Sequence, residues 1–168
     1  AFMETKPKYI AYDMYPFVGE TAEMDDSYFT NLSIIRKYAK KYKIPFWAYL
    51  QSCGKNQDSG AMRTPTEQEL MYELHTTLAY GAKGVKWVPL FHPHYWSLTA
   101  EKGSAGLFYY DGSETPFYAI AQRAAKNITS VDHILMKAEN EGIIFEGSSP
   151  VPTANFGGEK IQEKKYRE

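Results

Sequence analysis

Residues 9–17, YIAYDMYPF, place one carboxylate, Asp13, among apolar and aromatic neighbours. A carboxylate in such a setting is costly unless it is hydrogen-bonded, paired or at the solvent end of its strand. Asp13 therefore reads as a site residue, with a carboxylate bonded to loop backbone as the structural alternative. Pro16 ends the segment and fixes the turn that aims Tyr15. Further along, PFWAYLQS supplies Trp47, Tyr49, Gln51 and Ser52, and GVKWVPLFHPHYW supplies Trp87, Phe91, His92, His94, Tyr95 and Trp96. Aromatic faces accept C–H groups, while Asp, Gln and His offer planar donors and acceptors to hydroxyls, so this mixture suits a carbohydrate. Each of these rings serves equally well as core packing. Trp96, in a loop, is the ring most open to a ligand.

His92 and His94 flank Pro93, the spacing of a two-histidine metal pair, but no third ligand accompanies them. Hydrogen bonding to a ligand and loop packing are the other two readings, and the expectation is no metal and no cofactor. His75 and His133 fall within helices and read as structural. The single cysteine, Cys53, excludes an internal disulfide and a multi-cysteine metal site, and reads as an ordinary small residue. Glycoside hydrolysis needs two carboxyl groups about 5 to 5.5 Å apart for retention, or further apart for inversion. Only Asp13, Asp58, Glu101 and Asp111 lie near the expected rim. Asp58 and Glu101 occupy loops, and Asp111 is explained by its Asp-Gly turn. There is no Gly-x-Ser-x-Gly elbow, no Walker A and no dinucleotide glycine pattern, so the catalytic residues, if any, stay unassigned.

Three segments rich in aromatic and branched residues, 9–17, 45–52 and 84–91, predict buried parallel strands, each followed by a loop and a helix. The first helix, about 26–42, sets Phe29, Leu32, Ile35, Ala39 and Tyr42 on one stripe, and Arg36, Lys37, Lys40 and Lys41 on the wet side. Thr64-Pro65-Thr66-Glu67 predicts the second helix start, with Thr64 as cap and Glu67 closing a capping box. Leu70, Leu74 and Leu78 follow at four-residue intervals. Gly81 stops that helix and leads into the third strand. Thr115-Pro116 opens a third helix that buries Phe117, Ile120, Ala121, Ala124, Ala125, Ile128, Val131 and Leu135. Between them lies the long excursion 92–114, with a short extra strand expected at 107–110. In parallel β/α sheets, ligands gather at the C-terminal strand ends, which is what nominates the rim residues above.

The chain has 168 residues, 43% hydrophobic, 15% aromatic and 23% charged, with 19 basic against 20 acidic side chains. That composition predicts a soluble globular unit, and its charge balance argues against nucleic acid or an anionic membrane surface as partner. No run approaches the roughly 18 apolar residues of a spanning helix, and residues 1–13 lack a signal-peptide h-region, so no compartment is indicated. Residues 1–138 read as the β/α segment, and 139–168, rich in Pro, Gly and polar groups, as a linker or tail.

Tyr12-Asp13-Met14-Tyr15-Pro16, Ile44-Pro45-Phe46-Trp47, Arg63-Thr64-Pro65-Thr66 and Leu78-Ala79-Tyr80-Gly81-Ala82-Lys83-Gly84-Val85 together resemble the last part of the catalytic barrel of β-galactosidase-like glycoside hydrolases, family forty-two above all. The resemblance runs from about Tyr9 to Ile128. It implies a partial TIM-type (β/α) barrel of about three βα units, matching strands six to eight, because a whole barrel needs about 250 residues. It also implies that the acid/base glutamate of the fourth strand lies outside this chain. The nucleophile position falls on Leu50, or on Gln51 if the register slips by one. Neither side chain can form a glycosyl ester. Expected partners are a carbohydrate and either a second copy or a complementing barrel segment that covers the exposed edges. A noncatalytic carbohydrate-binding or assembly module is the alternative, and a metal-dependent hydrolase built on His92 and His94 a third reading.

Overall fold

Three short strands, β1 (Ile10–Asp13), β2 (Phe46–Gln51) and β3 (Gly84–Val88), pair in parallel in the order β1-β2-β3. Helices α1 (Tyr28–Tyr42), α2 (Glu67–Ala79) and α3 (Pro116–Leu135) complete a mixed α/β chain. The structure, a computed structural model, describes residues 2–20, 23–54, 62–91 and 106–143. The register sets Ala11, Trp47 and Gly84 in one row and Asp13, Tyr49 and Lys86 in another. Among the described residues no helix is long and apolar enough to cross a membrane.

Alternation along the strands divides the sheet into two faces. Ile10, Tyr12, Phe46, Leu50, Val85 and Trp87 turn toward the helices, where they meet Phe29 and Leu32 of α1, Leu70 and Leu74 of α2, and Ala124 of α3. Parallel strands joined by crossovers of one hand place their helices on one side in this way. Leu32, Leu50 and Leu74 are fully buried, each contributing about 1.5–3 kcal/mol of transfer free energy. Ala11, Asp13, Trp47, Tyr49, Gly84 and Lys86 lie on the other face.

The strands are shorter than predicted, and proline explains it. Pro16 and Pro89 have no N–H to extend a ladder. Past Pro16, Phe17 and Val18 instead form isolated antiparallel bridges to Met24 and Met62. The strand expected at 107–110 reduces to Phe108, bridged to Phe91 and Glu114.

The helix boundaries hold for α3, where Thr115 caps and Pro116 occupies the first turn, but shift for α2. There the cap is Thr66, not Thr64, and the reciprocal partner is Glu69, not Glu67. Glu69 wins because it is bonded by both Thr66 and the Arg63 guanidinium. Burial works against ionisation of Glu69, yet those hydrogen bonds and the Arg63 charge hold it down to about 2. Arg36, expected on the wet side of α1, is instead buried and bonded to Asn140, whereas Tyr42 is exposed. Asn140 also donates to the Ala79 carbonyl at 2.5 Å, and Ile143 packs on the α1 cluster, so residues 139–143 run against the core. Val131 and Ala125, expected in the buried face of α3, are exposed.

Candidate functional site

The face turned away from the helices carries a graded set of side chains. Tyr9, just before β1, packs its ring 5.5 Å from that of Trp47. The Lys86 ammonium sits 5.4 Å from the centroid of Trp47 and 5.2 Å from that of Tyr49. Asp13 lies one strand away, level with Tyr49, and is exposed. Burial, with the neighbouring Asp13 carboxylate second, holds the Tyr15 phenol well above its ordinary range. A carboxylate, a protonated phenol, two aromatic faces and a cation thus share one face of the sheet.

Gly84 makes this arrangement possible. It pairs with Trp47 in the register, and a Cβ placed on it meets the indole at 2.8–3.1 Å. Gly84→Ala is expected to push the Trp47 ring aside and lose about 1–3 kcal/mol of stability, the usual cost of overpacking. Tryptophan emission and a urea melt check this; an emission change that survives in a Trp47→Phe background would refute the assignment to Trp47.

The rim above β2 is stitched shut. Gln51 is 0% exposed. Its amide accepts from the Phe17 N–H at 2.9 Å and donates to the carbonyls of Phe17 at 3.1 Å and Arg63 at 2.7 Å. This corrects the expectation that Gln51 meets a ligand: its polar atoms are occupied in tying the loop after β1 to the loop after β2. Leu50, the other candidate at the nucleophile position, is also 0% exposed, packed with Leu74 and Ala124 under the sheet. Trp87 is corrected as well, since it turns to the helix side against the Leu70 and Leu74 clusters. Asp13, Tyr15, Trp47 and Tyr49 are brought together, whereas His92, His94 and Trp96 lie outside the described residues. Ser52 is buried, donating to the Pro89 carbonyl. Burial pushes the Cys53 thiol up to about 12, which keeps it protonated.

Asp111 accepts from the Ser113 N–H and hydroxyl within its turn. His75 and His133 are helical and exposed rather than packed. Among the described residues no group of three or more His, Cys, Asp and Glu is placed to hold a metal ion.

Two residues escaped the sequence reading. Lys86 is the only charge in GVKWV, and strict alternation would have set it, not Trp87, beside Trp47 and Tyr49. Glu73 is buried on α2, accepting the Gln51 N–H at 3.0 Å on the helix side of the sheet. Its signal was its place on the stripe of Leu70, Leu74 and Thr77.

No family model matches the chain, and no curated protein matches it. Among solved structures, a β-galactosidase from the psychrophilic Marinomonas ef1 superposes with a TM-score of 0.58 and 15% identity, over 83% of this chain and 24% of that one. The chain thus spans about a quarter of that protein, and what the two share at this identity is the fold: a parallel β/α arrangement similar to part of a β-galactosidase.

Proposed function

We propose that the chain is a segment of a glycoside hydrolase-like β/α barrel and that its open sheet face lines part of a carbohydrate-binding cleft. The observation that carries this reading is the row Asp13, Tyr49 and Lys86 beside Trp47, with ring faces and polar groups on the same surface. In a closed barrel this face would be the interior, and its C-terminal end the binding end. O-glycosyl hydrolysis would then require a complementing segment, because Asp13 is the only carboxylate that the three described strands carry. The outer edges of β1 and β3 pair with no described strand, which supports a partner there, either a second copy or the rest of a barrel. The noncatalytic reading is favoured for the isolated chain by Leu50 and Gln51, both sealed from solvent.

Titration of the chain with galacto-oligosaccharides, followed by tryptophan emission, tests the proposal. Saturable quenching is expected, weakened about tenfold by Trp47→Ala through loss of ring stacking. Aryl galactosides should show no turnover with this chain alone. Absence of saturable binding, or binding indifferent to Trp47→Ala, would refute the cleft.

A further inference from the structure

We propose that Lys86 makes this face selective for anionic saccharides, sugars bearing a carboxylate or a sulfate ester; the inference rests on the carbohydrate reading above and specifies its substrate class. Lys86 is the sole basic residue in the three described strands. Lys86 is half-buried with its ammonium beside the rings of Trp47 and Tyr49, and among the described residues it forms no ion pair. Aromatic quadrupoles hold a cation in place without cancelling its charge. Among the described residues no carboxylate answers that charge, so the ammonium is placed to meet an anionic group of a ligand.

Asp13 supplies the other end of the subsite. It lies in the same row as Lys86, two strand spacings away across Tyr49, or about 10 Å between backbones. One sugar ring over Tyr49 fits between them. Asp13 accepts sugar hydroxyls and repels an anion. Lys86 attracts the anion. The two charges therefore orient the ring, its acidic group toward β3 and its hydroxyl edge toward β1. A neutral sugar would offer the ammonium hydroxyl oxygens but no opposite charge.

The test compares oligogalacturonate, sulfated galacto-oligosaccharide and neutral galacto-oligosaccharide of equal length on the full chain, by calorimetry at low and high salt. At least one anionic ligand is expected to bind about tenfold more tightly than the neutral one, as a hydrogen bond to a charged group supplies. Which of the two does so distinguishes carboxylate from sulfate ester. The advantage should shrink as salt rises. Lys86→Met, which keeps the aliphatic stem, should erase it, and Lys86→Arg should retain it. Equal affinity for neutral and anionic ligands on the unsubstituted chain would overturn the inference while leaving the carbohydrate reading intact, and that comparison needs no variant to fold. A preference that persists in Lys86→Met would likewise overturn it. Failure of all three ligands to bind would overturn both.

Discussion

Gln51→Ala is expected to cost about 3–5 kcal/mol of stability, because it strands several buried backbone groups at once. The Phe17 N–H and the Arg63 carbonyl lose their partner, while the Phe17 carbonyl keeps only the Arg63 N–H, and no solvent reaches a side chain that is 0% exposed. Gln51→Glu carries a sharper message, since position 51 is one of the two that the resemblance assigns to a nucleophile. A carboxylate there could still accept from Phe17, but it would turn acceptors toward the Phe17 and Arg63 carbonyls, where the amide now donates. It should therefore be as destabilising as alanine at neutral pH and partly recover in acid, when a proton restores one donor. Urea denaturation at pH 5 and pH 8 reads both variants. A midpoint within about 0.3 M of the unsubstituted chain for Gln51→Ala, under about 1 kcal/mol at ordinary m-values, would show that the loops do not depend on this amide.

The same residue shows where sequence reading succeeds and where it stops. Alternation within FWAYLQ correctly sets Trp47 and Tyr49 on one face, because a strand's period of two is local. The period says nothing about what covers its end. Gln51 shares that parity, yet it is enclosed by loops from residues 17 and 63, a contact between positions far apart in the chain. GVKWV fails for another reason. Parallel strands buried on both sides read as continuous apolar runs, so the indole of Trp87 drew attention that belonged to Lys86. The α1 stripe was legible through Phe29, Leu32 and Ala39, but Arg36 lies buried because Asn140, over 100 residues away, accepts its hydrogen bond. The order of strands and helices was legible because turn signals at Gly81, Thr115 and Pro116 are short-range. The fold likeness to a β-galactosidase agrees with the coarse architecture and leaves the chemistry of the face to experiment.

Glu73→Gln is expected to stabilise the protein, and to do so more strongly as pH rises. Burial pushes the Glu73 carboxyl well above its ordinary value, although the Gln51 N–H bond works the other way. In the unfolded chain the same group titrates near 4.5. Between that pH and the higher folded value, the folded state holds a proton that the unfolded state has released, so stability is fully present below about 4.5 and falls as pH climbs through the window. One such group gives a slope of about 1.4 kcal/mol per pH unit. Glutamine keeps the volume and an oxygen for the Gln51 N–H, but has no proton to lose. The buried tyrosines around it, Tyr12 and Tyr28, have their phenols held well above their ordinary range, by burial first and by Glu73 second, so they stay protonated across this window. The difference in unfolding free energy between Glu73→Gln and the unsubstituted chain should therefore be smallest near pH 4.5 and widen as pH rises through the window, other titrations cancelling in the subtraction. Parallel stability curves over that range would mean that Glu73 does not carry a buried proton.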